Sequence, residues 1–209
     1  VSLQGLGVGV AGSYGQRDGT TASPNLTAGY KSESQATVFS FNPAAGTVFA
    51  DGPTWRINPE LYYYNGPFGF LSEYIVESQS VTKGAVLRRE LQNDAWSALA
   101  SYVITGEDAS FEGVKPANNF SYSNGTWGAF EAIARVGKLD VDNDAFPVYA
   151  NPASSVSSAL EKTIGLNWYI NSNLKINTAY SETNFTGGAA ANGDRETEKL
   201  FGSRVQFKF

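Results

Sequence analysis

Cysteine, histidine and methionine are all absent from these 209 residues. Without Cys or His the chain lacks the usual ligands of a zinc site, the base of a Ser-His triad and the nucleophile of thiol catalysis. A Cys-free chain suits a compartment where stray disulfides would form, such as the bacterial periplasmic route. No residue pattern implies a cofactor. Positive charge is in deficit, with 15 Lys and Arg against 20 Asp and Glu, and a pI near 4.8 argues against a nucleic-acid partner. No apolar run reaches the length of a transmembrane helix, which argues against an inner-membrane protein. The chain opens at Val1 with neither Met nor a signal peptide, and is expected to be a processed form or a piece of something longer.

What is present is aromatic and glycine-rich: 13 Phe, 11 Tyr, 4 Trp and 22 Gly. The length fits one all-β domain or one barrel, and it is enough for a packed core without disulfides or metals. Mean hydropathy is −0.25, a value that a barrel can reach because it hides its apolar content in alternation. The final segment shows this best. Phe201, Val205, Phe207 and Phe209 alternate with Arg204, Gln206 and Lys208, giving one apolar and one wet face. In water that ending would be an aggregation hazard, whereas in an outer membrane it is an ordinary closing strand. A last strand of a soluble sandwich is the alternative reading of this segment.

Similar alternation predicts strands over residues 6–14, 54–64, 68–81, 94–105, 128–139, 160–170 and 174–185, which with the closing strand makes about eight. A strand-like piece, residues 36–41, interrupts a long polar stretch over residues 15–53. Pro59 cannot donate to a ladder and hints at irregular pairing. Residues 65–67 and 171–173 read as tight turns. The connections at 15–53, 140–158 and 186–195 are long, as short periplasmic turns and long outer loops would produce. Residues 83–93 read as a further connection. The connection at 106–126 is long on the side where the others are short.

Aromatics gather toward strand ends on the apolar face: Trp55, Tyr63, Phe68, Trp96, Trp168, Phe207 and Phe209. Such girdles settle at headgroup level. A soluble barrel would reverse the faces. Parity therefore predicts that Leu6, Val8, Val10, Trp55, Leu61, Phe70, Tyr74, Trp96, Ile104, Phe130, Ile164, Trp168, Ile176, Phe207 and Phe209 point to lipid. Arg56, Glu60, Glu73, Glu131, Arg135, Asn167, Lys175 and Arg204 are expected to point inward.

Several blocks then resemble one family. Thr54-Trp-Arg-Ile-Asn-Pro-Glu-Leu-Tyr-Tyr-Tyr-Asn-Gly-Pro-Phe-Gly-Phe-Leu-Ser-Glu-Tyr74 is similar to the Pro-Glu-x-x-Tyr-Tyr…Gly-Pro-Phe-Gly…Glu-Tyr signature of the phosphate-selective porin O and P family. Residues 100–107, 128–135 and 165–173 follow in family order. The resemblance implies a Gram-negative outer-membrane porin, typically a sixteen-stranded barrel in a homotrimer, of which residues 1–209 look like the C-terminal half. The expected fold is thus an all-β, antiparallel transmembrane β-barrel, either a portion of a larger barrel or a reduced one. The implied function is a passive diffusion channel for small hydrophilic solutes, with anions such as phosphate as candidates. The alternative is a small closed barrel with a structural or assembly role and no open channel.

The pore-lining candidates are Arg56, Glu60, Glu73, Glu131, Arg135, Lys175 and Arg204, with Glu77 and Lys208 on the same parity. Lumenal cations of this kind can replace phosphate hydration, but the interleaved carboxylates can also pair with them and build an ion-paired wall. The expected partners are outer-membrane lipid and lipopolysaccharide, the outer-membrane insertion machinery, for which terminal Phe209 is the assembly signal, and two further copies of the chain. Asp140, Asp142 and Asp144 are spaced like the start of a calcium loop, but Ala145 and Asn151 stand where an EF-hand wants Gly and Glu. A solvated acidic loop is the other reading. Arg88-Arg89 could touch lipopolysaccharide phosphates, although exposed basic pairs are common. Four Asn-x-Ser/Thr patterns carry no expected meaning in a bacterial protein. No segment gathers catalytic carboxylates or a Ser-His pair, so no enzyme is expected.

Overall fold

The computed structural model describes residues 4–41, 48–84 and 87–208. Ten strands follow in order: β1 (Leu6–Asp18), β2 (Tyr30–Lys31), β3 (Thr37–Phe39), β4 (Val48–Asn65), β5 (Phe68–Lys83), β6 (Leu87–Val103), β7 (Ala129–Asp140), β8 (Val156–Tyr169), β9 (Leu174–Gly187) and β10 (Glu198–Phe207). Eight of them form one antiparallel sheet in the order β1-β4-β5-β6-β7-β8-β9-β10, and β2-β3 is a separate small hairpin. The described residues are all-β apart from two single 3-10 turns. Among the described residues β1 and β10 do not pair with each other, so the sheet is open.

The register carries a stagger. One row runs Leu6–Tyr63–Phe70–Ala100–Ala134–Ile164–Tyr180–Phe201 across all eight strands. It starts at the turn end of β1 and reaches β10 six residues short of Phe207. Six residues are roughly 20 Å along the strand, and seven spacings are about 34 Å across it. The ratio corresponds to a strand tilt of about 30°, close to the range that a membrane barrel requires.

The same register sorts the side chains. Leu6, Val8, Val10, Trp55, Leu61, Phe70, Tyr74, Trp96, Phe130, Ile164, Trp168, Ile176 and Phe207 share one face, and Ile104 continues it beyond β6. This face stays uncovered: Val8, Val10 and Ile164 are 75%, 78% and 65% exposed. A soluble sheet would bury such residues, and the burial each forgoes in water is about 1.5–3 kcal/mol. Phe209 lies outside the described residues.

The opposite face is polar and concave. Residues 19–41 fold across it. Thr27 N donates to Gln79 Oε1 on β5 at 3.1 Å, and Ser32 Oγ donates to Glu198 Oε2 on β10 at 2.9 Å. Glu198 lies in the row of Glu73, six residues along β5 from Gln79. On a flat sheet those anchor points would stand about 31 Å apart, whereas the five residues from Thr27 to Ser32 reach at most about 17 Å. The extended Gln79 and Glu198 side chains, together with curvature of the sheet toward this face, supply the difference.

Two expectations from sequence are corrected. The stretch read as a connection over residues 83–93 is mostly strand, since β5 continues to Lys83 and β6 begins at Leu87. The stretch over residues 15–53 likewise loses both ends to β1 and β4. The cause is an inversion of hydrophobic parity. Beyond the apolar band, the concave side carries Val48, Val81 and Leu91, buried with Phe39, Phe41, Val141, Ala145, Tyr149 and Ala150. The outward side of β6 carries exposed Arg88 and Glu90 there. Above the band water lies outside, so the apolar residues turn in. Pro59 leaves a gap in the β4–β5 ladder without shifting its register. It has no N–H for Tyr74 O, and Asn58 Nδ2 donates to that oxygen instead at 3.1 Å.

Candidate pore-lining face

Every charged residue that sequence parity assigned inward lies on the concave face: Arg56 with Glu77, Glu60 opposite Glu73, Glu131 opposite Asn167, Arg135 opposite Thr163, Lys175 opposite Tyr169, and Arg204 opposite Asn177. Glycine makes room for them on β1. A Cβ on Gly9 would stand 2.6 Å from Glu60 Oε1 and 2.9 Å from its Cγ, so glycine there lets the Glu60 side chain lie over the neighbouring strand.

The charges fall into groups of different character. Arg56 Nη2 meets Glu77 Oε2 at 2.5 Å, and Arg135 Nη1 meets Glu161 Oε1 at 3.6 Å. Glu73 accepts a hydrogen bond from Ser97 Oγ at 3.2 Å. The two ion pairs neutralise Arg56 and Arg135 within the wall, whereas Ser97 brings no charge to Glu73, which stands opposite Glu60. Glu131 is buried, and accepts from Asn167 Nδ2 and from the Tyr169 hydroxyl at 2.8 Å each, while Asn177 Nδ2 donates to Asn167 Oδ1 at 2.7 Å. Toward the turn end the balance changes. Lys175 Nζ stands 5.2 Å from the Tyr169 ring centroid, and Arg204 Nη2 donates to Gln206 Oε1 at 3.3 Å. Among the described residues neither is paired with a carboxylate within 4.0 Å.

Two connections narrow this face. Near the loop end, Tyr30 of β2 accepts from Asn93 Nδ2 at 2.9 Å, Val38 of β3 packs on Val156 and Phe185, and Arg195 Nη1 donates to Thr37 O at 2.9 Å. Burial, reinforced by the negative charge of Glu77, pushes the Tyr30 phenol up to about 12, so it stays neutral. At the turn end, residues 104–128 bring Ala109 and Val114 against Val103, Ala129 and Tyr169. Between this connection, the β8–β9 turn and the end of β10 is a cavity of about 610 Å³, lined by Lys115, Lys175 and Lys208 and by Glu107, Asp108 and Glu112. Burial pushes Glu107 up, but hydrogen bonds from the Thr105 hydroxyl and Ala117 N outweigh it and hold its carboxyl below 4.5.

The three carboxylates of the acidic loop are engaged by different partners. Asp140 pairs with Lys138 at 2.8 Å and Asp144 with Arg89 at 3.4 Å, while Asp142 accepts from Gln92 N and Asp144 N at 2.9 Å. Among the described residues no three His, Cys, Asp or Glu side chains come together to hold a metal ion. Sequence reasoning missed Glu161 and Tyr169 as partners of Arg135 and Glu131. Their parity was readable, but the neighbours across a strand depend on register.

Known proteins resemble this arrangement. The family model described as phosphate-selective porin O and P matches residues 4–209. Porin O of Pseudomonas aeruginosa is 28% identical over 178 residues, covering 80% of this chain and 37% of that protein. The chain therefore spans well under half the length of that curated relative. The tilted antiparallel sheet, its bare apolar face and its charged concave face agree with a match over nearly every residue: this chain belongs to the phosphate-selective porin O and P family, whose members are outer-membrane proteins.

Proposed function

We propose that residues 1–209 form part of the wall of an outer-membrane diffusion channel for small hydrophilic solutes, with anions such as phosphate favoured at its turn end. The observation that carries this reading is the concave face, on which charged and hydrogen-bonding side chains look away from a continuous apolar band. An eight-stranded barrel would fill its interior with side chains, whereas about sixteen strands leave a channel. The 37% coverage of Porin O supports the larger barrel, of which this chain is a portion. A homotrimer embedded in lipid and lipopolysaccharide is the assembly we propose by analogy with the family.

Selectivity belongs to the cations that have no ion partner. Arg56 and Arg135 are held by Glu77 and Glu161 and serve the wall. Lys175 and Arg204 are left to meet a passing anion and replace part of its hydration. Reversal potentials across a planar bilayer separate the two roles. Changing Lys175 and Arg204 to Ala is expected to lower the anion-to-cation permeability ratio, while removing both members of each pair together, Arg56 with Glu77 and Arg135 with Glu161, leaves it nearly unchanged. Absence of any conductance from the complete protein would favour the closed-barrel reading.

A further inference from the structure

Residues 104–128 straddle the turn-end rim of the sheet. Their first part lies on the concave side, where Ala109 and Val114 are buried and the Phe111 ring stands 6.0 Å from that of Tyr62. Their second part crosses to the apolar side. There the Phe120 ring is 5.5 Å from Trp168 and 5.7 Å from Trp127, and Trp168 stacks on Phe130 at 5.8 Å. Trp168 Nε1 donates to Trp127 O at 2.6 Å, and Phe120 N donates to Ile170 O at 2.8 Å. Trp168 and Phe130 are opposite one another on the lipid-facing side of β7 and β8.

The second lobe is closed on itself and aimed outward. Ser121 and Thr126 bridge, and Thr126 Oγ1 donates to Asn119 O at 2.6 Å. This leaves Tyr122 at the tip, 90% exposed, beside Trp127 at 59%. Residues 116–128 contain no charged side chain. A loop designed only for water has little reason to combine bare Tyr and Trp rings with the loss of every charge. Amphipathic rings on a neutral, hydrogen-bonding segment are what the headgroup layer of a membrane accepts.

We propose that residues 118–127 are a membrane anchor, seated in the headgroup layer at the turn end of the barrel, and that this anchor holds residues 107–117 over the concave face. The inference rests on the reading of the apolar face as the lipid-facing wall. The inner lobe is closed at its base where Glu107 Oε1 accepts from Ala117 N at 3.1 Å, so the outer lobe starts directly from that fixed point, and its exit is made at Gly128, φ +75°, where a Cβ would stand 2.1 Å from Tyr169 O. Because Lys115 of the inner lobe lines the same cavity as Lys175, the membrane fixes the aperture past which solute moves.

The absence of native cysteine makes the test direct. Tyr122→Cys and, as a control on the inner lobe, Ser110→Cys are each labelled with a thiol-reactive fluorophore in the full-length protein, refolded into phosphatidylcholine vesicles and checked for the heat-modifiable form. At position 122 the label is expected to lose fluorescence to lipids spin-labelled near the headgroup and to resist iodide. At position 110 the expected result is the reverse. Quenching at 122 by iodide alone overturns the anchor. Shielding from both quenchers, with cross-linking between copies, also overturns it and assigns the lobe to a subunit interface. Lipid quenching needs only a folded barrel, so a protein that passes this test yet conducts nothing would overturn the channel and leave the anchor standing.

Discussion

Glu131 is a buried carboxylate on the concave face with two donors aimed at it, Asn167 Nδ2 and the Tyr169 hydroxyl. Removing the acceptor strands both donors, and each buried group left unsatisfied costs about 1–3 kcal/mol. Glu131→Ala is therefore expected to lower the unfolding midpoint of the refolded protein in denaturant, and Tyr169→Phe to lower it less, because the carboxylate keeps Asn167. Arg56 and Glu77 make the complementary case. Glu77→Gln leaves the guanidinium unpaired on the concave face and should raise the anion-to-cation permeability ratio measured by reversal potential. The faces of these residues were legible in the sequence, since parity within a strand is strict. Their partners were not. Arg135 meets Glu161 only because Gly137, two residues along, lies opposite Glu161 in the β7–β8 register, and no local pattern states that register.

Elements extend the same lesson. The band from Phe68 to Val76 alternates in one sense, and the continuation of β5 through Val81 alternates in the other. Sequence reading lost the strand there because the apolar side changed partner from lipid to residues 19–41 and 141–150. The connection at 104–128 was legible as an anomaly of length, while its packing over the concave face was not, because Ala109 and Val114 are too few to form a periodic signal. Its inner lobe should respond to acid. The folded Glu107 carboxyl titrates below its ordinary value, so its contribution is present in full above that value and fades as pH falls through the lowered one. Hydrogen-exchange protection at the Ala117 amide, corrected for intrinsic rates, is expected to fall on acidification toward that point, and Glu107→Gln should remove the dependence. For β10, the expectation from the alternating ending stands as a proposal: deleting Phe209 lowers the heat-modifiable fraction recovered in outer membranes.

At the scale of the molecule the open sheet is the decisive feature. Among the described residues β1 and β10 each have one strand neighbour, and in hydrocarbon an unpaired strand edge leaves backbone groups that nothing else can satisfy. We expect both edges to be closed by further strands in the working channel. Amides on the outward edges of β1 and β10 should then exchange as slowly in native membranes as those of β5; fast exchange at either edge would speak against closure.

The inversion of hydrophobic parity along β4–β6 also sets how deep the protein rides. Tyr74 and Trp96 end the apolar side at the level where Asp94, Arg88 and Glu90 begin the charged one. Sinking the barrel would carry those charges toward the hydrocarbon, at a cost that climbs to about 2–4 kcal/mol for a cation at the midplane. Raising it would strip lipid from Tyr74 and Trp96. The line between them behaves as a waterline with a restoring force on both sides, and every solute-facing side chain inherits a fixed altitude from it.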